Sequence, residues 1–148
     1  MKVSTRVEYG MLALTDIAMY AANGTSVSAP DIAEREGISQ KYLEQILTHL
    51  KQAGLIRAQK GLRGGYTLSR PADRISIADV LNALDKSILD PQNTSGDRNE
   101  RSLRNAVNAG LWEKMNGFLN GFAANKTLAE FVQECRNQMS GEWDYYMI

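Results

Sequence analysis

The 148-residue sequence has few of the residues that several classes of protein require. Its single cysteine, Cys135, excludes an intramolecular disulfide, and with no signal peptide at its start we expect a protein of the reducing cytoplasm. No apolar run approaches the roughly 18 residues that a membrane-spanning helix needs. The single histidine, His49, has no second histidine or cysteine pair near it. We therefore expect His49 to be a surface or packing residue rather than a metal ligand or a base.

The signatures of common enzyme classes are also missing. The sequence has no HExxH motif, no phosphate-binding glycine loop and no nucleophile with a partner base. Gly61, Gly64 and Gly65 lie between two predicted strands, not between a strand and a helix as a nucleotide loop requires. The sequence therefore predicts a protein that is not an enzyme.

The charge is balanced overall but unevenly distributed. Residues 1–70 carry nine Lys and Arg against six Asp and Glu, a net charge of +3. Residues 71–148 carry eight against eleven, a net charge of −3. A basic half joined to an acidic half indicates that the first half meets an anion.

Two closely spaced helices are predicted between residues 28 and 54. Ser28, followed by a proline and Asp31, is a typical helix start, and Gly37 ends this short helix. Ser39 begins the next helix, and Gly54 ends it. Its apolar residues recur at i, i+3, i+4 and i+7, as one stripe that faces a core: Leu43, Ile46, Leu47 and Leu50. This is the spacing of a helix-turn-helix, preceded by a first helix that Ser4 or Thr5 caps.

A β-hairpin follows at once, with predicted strands at residues 55–59 and 66–69. A helix-turn-helix with such a hairpin forms a winged helix, which binds DNA through its second helix and its wing. The outward residues of the second helix are positioned for base edges in the major groove: Gln40, Lys41, Glu44, Gln45 and Thr48. Phosphates are predicted to contact Ser28, Ser39, Lys60 and Arg63, while Gly64 and its neighbouring glycines let the backbone come close to DNA.

The remaining sequence predicts further helices. Ser76 with Asp79 begins one helix, a longer helix runs over about 98–122, and Thr127 with Glu130 begins the last. The predicted fold class is mainly α with a small β-hairpin wing. We predict a winged helix-turn-helix DNA-binding domain at 1–85, a loop at 86–97, dimerisation helices at 98–140 and a C-terminal tail at 141–148.

Five segments give the chain a family resemblance: MKVSTRVEYGMLAL, GISQKYLEQIL, GLIRAQKGLRGGYTL, ISIADVLNALD and NKTLAEFV. From Met1 to about Val132 the sequence resembles the bacterial Rrf-two (Rrf2) family of winged-helix transcriptional regulators. The resemblance implies a homodimer, held by the long helix, on a partly palindromic DNA site. It also implies these DNA-facing residues: Thr5, Arg6, Tyr9, Ser39, Gln40, Lys41, Tyr42, Glu44, Lys60 and Arg63.

Many members of this family hold an iron–sulfur cluster with three cysteines just before the long helix. In this sequence residues 86–105 contain no cysteine, and one thiol cannot replace three. Cys135 is expected to be a small buried hydrophobic residue. Glu8 lies where some relatives have a carboxylate ligand, but we expect it in solvent or in a salt bridge. We therefore predict no cofactor and no metal.

The tail residues Tyr145, Tyr146, Met147 and Ile148 resemble the C-terminus of the family's cluster-free cysteine-metabolism repressors. Serine acetyltransferases also end in isoleucine, which they insert into cysteine synthase (O-acetylserine sulfhydrylase). The resemblance thus implies that this tail docks in cysteine synthase. The alternative is that the tail packs on the dimer core.

The prediction is a cluster-free, homodimeric transcriptional regulator that represses genes of cysteine or sulfur metabolism. One alternative is a protein-interaction module whose partner is a metabolic enzyme. Another is a regulator that senses a small molecule in a dimer-interface pocket lined by Trp112, Phe118 and Phe122. We expect those three aromatic residues to belong to the core instead.

Overall fold

A computed structural model describes residues 2–90 and 96–141. Seven α-helices and one hairpin follow in the order α1 (Thr5–Tyr20), α2 (Ala29–Glu36), α3 (Gln40–Gln52), β1 (Ile56–Gln59), β2 (Gly65–Leu68), α4 (Ile77–Leu84), α5 (Leu103–Val107), α6 (Glu113–Asn125) and α7 (Leu128–Met139). Short 3-10 helices cover Ala72–Arg74 and Lys86–Ile88. The mainly helical fold with one antiparallel hairpin confirms the predicted class. Within the described residues, no helix combines the length and the apolar character needed to cross a bilayer.

The first three helices begin where short polar side chains satisfy their free backbone N–H groups. The hydroxyls of Ser4, Ser28 and Ser39 each accept a hydrogen bond from the N–H three residues later, at 3.2–3.3 Å. Gly37, with φ of 67°, ends α2 in the left-handed conformation that glycine adopts without strain. The predicted positions of α2 and α3 are therefore confirmed.

The core forms where α1 packs against α2, α3, α4 and α7. Leu14 and Ile17 of α1 are fully buried. The predicted stripe of α3 is buried as well, which leaves the opposite side of that helix in solvent. This burial fixes the orientation of α3 about its axis.

The hairpin pairs Ile56 with Leu68 and Gln59 with Gly65, close to the predicted strands. Val27, just before α2, pairs with the hairpin. The Tyr66 N–H donates to the Val27 carbonyl oxygen at 2.7 Å, and the Val27 N–H donates to the Tyr66 carbonyl oxygen at 3.0 Å. A Cβ atom on Gly65 would lie 2.5 Å from that carbonyl oxygen. Glycine is therefore required where the hairpin joins the helix-turn-helix.

The long helix begins later than predicted, at Leu103 instead of about residue 98. Ser102 caps it, and the side-chain amide of Asn105 donates to the carbonyl oxygens of Asp97 and Asn99 at 2.8 and 2.9 Å. These bonds hold the preceding turn outside the helix. From α5 the backbone continues through a π-helical stretch, Asn108–Trp112, into α6 without leaving helical geometry.

The aromatic residues of this helix lie on its open side, so the expectation that they belong to the core is wrong. Phe118 is 79% exposed and Phe122 60% exposed, while Trp112 is 38% exposed. The same stripe carries further exposed apolar residues: Leu103, Val107, Leu111 and Met115. The helix turns its other side, with buried Ala123, toward α4. The helix thus carries a periodic apolar stripe that the described residues of a single chain leave exposed.

Candidate nucleic-acid interface

The first turn of α1 and the outer side of α3 form one continuous surface. Thr5 and Arg6 are exposed, and Tyr9 and Tyr42 are half-buried. The two tyrosine rings meet edge to face, with centroids 5.9 Å apart and planes at 76°. Two shallow grooves lie beside Tyr42, one reaching Arg6 and Gln45 and the other reaching Tyr9 and Ser39. This contact fixes the predicted residues of α1 beside those of α3.

All the predicted base-reading residues of α3 are exposed: Gln40, Lys41, Glu44, Gln45 and Thr48. The Gln40 side-chain N–H donates to a Glu44 carboxylate oxygen over a long 3.4 Å. The Thr48 hydroxyl donates to the Glu44 backbone carbonyl at 2.8 Å, so its proton is already used within the helix. Among the described residues, Lys41 and Gln45 have no side-chain hydrogen bond partner. This surface therefore offers amide, carboxylate and ammonium groups to a ligand.

Ser28 and Ser39 combine two roles at the helix starts. Each hydroxyl oxygen accepts the capping bond described above, so its own O–H proton is available to donate. Ser39 is exposed and Ser28 half-buried. The N-terminus of α3 also presents free backbone N–H groups, which favour anions. His49 lies exposed on α3, as expected for a surface residue.

The wing presents two exposed cations, Lys60 and Arg63, on a loop that is tied to the rest of the fold. The Ser26 hydroxyl donates to the Arg63 carbonyl oxygen at 2.7 Å. Within the loop, the Gly64 N–H donates to the Gly61 carbonyl oxygen at 2.9 Å, and Gly61 has φ of 112°. A Cβ atom on Gly64 would lie 2.6 Å from a backbone oxygen. The glycines thus allow a tight turn that projects both cations outward.

Two residues of this region were not predicted from the sequence. Leu62 is fully exposed between the two wing cations, and its position at a hairpin tip was the available signal. Asp85 lines the groove beside Arg6. Two hydrogen bonds from Ser87 lower the pKa of the Asp85 carboxyl, and the positive charge of Arg6 lowers this pKa further. Asp85 therefore stays ionised in the groove that Arg6 also lines.

The described residues do not fit an iron–sulfur cluster. No group of three or more His, Cys, Asp or Glu side chains within ranges 2–90 and 96–141 is arranged to hold a metal. The whole sequence contains one thiol, whereas such clusters are held by several thiolates. That thiol, on Cys135, was expected to be buried and is half-buried in the structure, and desolvation raises its pKa. Glu8 is exposed on α1, as expected.

Comparison with known proteins identifies relatives over nearly the whole length. A family model described as "Rrf2: Iron-dependent Transcriptional regulator" matches residues 3–134. The HTH-type transcriptional regulator IscR of Cronobacter sakazakii is 33% identical over 132 residues, which is 89% of this chain and 80% of that protein.

Solved structures with the same fold include two regulators. CymR, "the Global Cysteine Regulator of B. subtilis", superposes with a TM-score of 0.75 at 25% identity, over 90% of this chain and 98% of that one. IscR of T. potens gives a TM-score of 0.72 at 32% identity, over 91% of this chain and 88% of that one.

Proposed function

The chain belongs to the Rrf2 family of helix-turn-helix transcriptional regulators, which are not enzymes, and we propose that it reads duplex DNA with the exposed side of α3. One observation carries this proposal. Because the apolar stripe of α3 is buried, a continuous row of polar side chains faces solvent, next to a helix N-terminus whose free N–H groups attract anions. A B-DNA major groove is wide enough to admit one such helix.

We divide the contacts by chemistry. Gln40, Glu44 and Gln45 suit base edges, because side-chain amides pair with adenine and carboxylates accept from cytosine. The cations and hydroxyls suit phosphates, which fix the register of the protein on the duplex: Thr5, Arg6, Ser28, Ser39, Lys41, Lys60 and Arg63. Tyr9 and Tyr42 hold α1 against α3, and the Gly64 backbone lets the wing come close to a groove.

We further propose a homodimer formed through the exposed apolar stripe of α5 and α6. A row of seven large apolar residues on one side of a helix is unusual for a surface that meets only water. Two-fold pairing would bring two α3 helices to a palindromic site. In this scheme residues 1–85 bind DNA, and residues 98–140 supply the dimer interface.

The regulator is proposed to work without an iron–sulfur cluster. We expect anaerobically purified protein to lack the visible sulfide-to-iron absorption band, since a homodimer brings only two thiols and each lies on α7. The measurement is an absorption spectrum with iron and acid-labile sulfide analysis. A visible band with stoichiometric iron and sulfide would contradict the proposal.

The regulated genes are proposed to belong to cysteine or sulfur metabolism, with the protein as a repressor. Support comes from the similarity to CymR, the global cysteine regulator of B. subtilis. Docking of the tail in cysteine synthase stays a prediction from sequence. Its residues, Tyr145, Tyr146, Met147 and Ile148, lie outside the described part of the chain.

Base reading by α3 is tested by Gln40→Ala. The wild-type protein is expected to select a palindromic motif from a pool of random duplexes. The variant is expected to lose discrimination of about tenfold or more at one symmetric pair of positions, because a bidentate amide contributes about 1–3 kcal/mol to base choice. The measurement is sequencing of the bound DNA, followed by titration of single-base variants of the selected site.

Gln52→Ala is the matched control, since Gln52 is also exposed but lies at the far end of α3. It should select the wild-type motif. If Gln40→Ala selects that motif with undiminished preference at every position, α3 does not read bases through this residue.

A further inference from the structure

A cavity of about 410 Å³ lies between the C-terminal part of α1 and α7, and its lining includes none of the residues proposed to contact DNA. Its walls are largely apolar and include Leu12, Met19 and Phe131. The C-terminal end of α2 closes one side through Glu36. The volume and the apolar lining are those of a small-molecule site.

The polar part of the cavity is acidic. Its described lining contains three carboxyl groups and neither lysine nor arginine. Asp16 is fully buried and receives two hydrogen bonds from Arg35, both at 2.9 Å. The Arg35 guanidinium also lies 4.4 Å from the centre of the Tyr20 ring. The charge of Asp16 is therefore already balanced.

Glu36 differs from the other two carboxyl groups of the lining. Glu134 forms an ion pair with Lys126, whereas no described cation forms a salt bridge with Glu36. A hydrogen bond to Asp16, burial and the negative charge of Asp16 raise the pKa of Glu36 to about 7, although Arg35 opposes the shift. An ionised Glu36 thus leaves one uncompensated negative charge beside an apolar space.

We propose that this cavity binds a small molecule that carries one protonated amine on an apolar body. The ammonium group pairs with Glu36, and the apolar body contacts Leu12, Met19 and Phe131. A monocation fits because Asp16 and Glu134 already have partners. The ammonium group of the ligand would take the place of the proton that Glu36 carries below its pKa.

Glu36 connects the cavity to α3 through the backbone of the helix-turn-helix turn. Glu36 is the last residue of α2, and only Gly37 and Ile38 separate it from the Ser39 cap of α3. A ligand held between α1, α7 and Glu36 would stabilise one placement of the helix-turn-helix turn. Binding at this cavity goes beyond the proposed function and requires no DNA.

The groups that face Glu36 determine the pH dependence of binding. They are Asp16 and Tyr20 of α1, Arg35 of α2, and Glu134 and Cys135 of α7. An amine ligand prefers ionised Glu36, so binding releases a proton below the pKa of Glu36. Affinity should therefore rise about tenfold between pH 6 and pH 8, as the ionised fraction grows from about a tenth to about nine tenths.

The experiment is isothermal titration calorimetry of the full chain without DNA, with tryptamine as the probe. The matched neutral probe is indole-3-ethanol, which replaces the amine by a hydroxyl. Tryptamine is expected to bind at least about tenfold more tightly than indole-3-ethanol at pH 8, because a charge-assisted bond contributes more than a neutral one. Equal affinities of the two probes, or no saturable binding of tryptamine, would overturn the proposal.

Two variants locate the site. Glu36→Gln should remove both the preference for the amine and the rise in affinity with pH, whereas Glu34→Gln, an exposed position on the same helix, should keep both. Leu12→Trp fills the cavity and should abolish binding while leaving Glu36 intact. If Glu36→Gln and Leu12→Trp, both folded by circular dichroism, bind tryptamine like the wild type, the cavity is not the site. Because no DNA is present, these outcomes are independent of the proposed DNA contacts.

Discussion

Replacing both wing cations, Lys60→Ala with Arg63→Ala, is expected to lower the affinity of the regulator for duplex DNA about a thousandfold near 0.1 M salt. Both side chains are exposed on a loop whose backbone is fixed to Ser26. A dimer loses four cations by this change. Each phosphate contact releases about 0.9 of a counterion, so the slope of log affinity against log salt should fall by roughly 3.6.

The measurement is fluorescence anisotropy titration of a labelled duplex at several salt concentrations, with specific and unrelated sequences. The loss should be similar for both sequences, since phosphate contacts carry no sequence information. The matched control is Arg98→Ala with Arg101→Ala, which removes two exposed cations from the turn before α5. If both double variants reduce the slope equally, net charge and not the wing determines binding.

The local features of the fold could be predicted from the sequence because their causes are local. At an N-cap position a serine hydroxyl accepts a hydrogen bond from the N–H three residues later, so the helix starts at Ser28 and Ser39 depend on neighbouring residues alone. The reciprocal bonds between Ser76 and Asp79 at α4 are another such case. The four-residue stripe of α3 then determined which side of the helix meets solvent.

Features that depend on distant contacts could not be predicted in this way. The start of the long helix depends on the Asn105 side chain, which reaches back to two backbone carbonyls and stabilises a turn instead of helix. The cavity joins Asp16 of α1 to Cys135 of α7, residues that sequence spacing does not connect. Neither the pairing of Asp16 with Arg35 nor the raised pKa of Glu36 has a sequence signature.

The sequence alone also could not show what covers the apolar stripe of α5 and α6. A helical periodicity indicates that one side of a helix is covered, but the same pattern results whether the cover is the chain's own core or a second molecule. The sequence pattern therefore predicts a core position for Phe118 and Phe122, whereas the structure leaves them exposed in a single chain. Glycines that lie along this helix, such as Gly117, have open space around them and permit close approach of another backbone.

Replacing one residue of this stripe, Phe118→Glu, is expected to convert the proposed dimer into monomers. Burying two phenylalanine side chains contributes about 3–6 kcal/mol, and two facing carboxylates would add repulsion, so the dimer Kd should rise a thousandfold or more. Since Phe118 is 79% exposed in the single chain, the fold itself should tolerate the change. The measurements are sedimentation velocity at micromolar protein and circular dichroism.

Ala124→Glu is the matched control, because it introduces the same charge at an exposed position of α6 that lies outside the stripe. It should leave the dimer intact. Monomeric Phe118→Glu should also bind a palindromic duplex no more tightly than a single half-site, since the two α3 helices no longer act together. A folded Phe118→Glu variant that still forms dimers would assign the interface to another surface. Full DNA affinity in a monomeric variant would instead separate DNA reading from dimerisation, because α3 would then need no partner to hold its site.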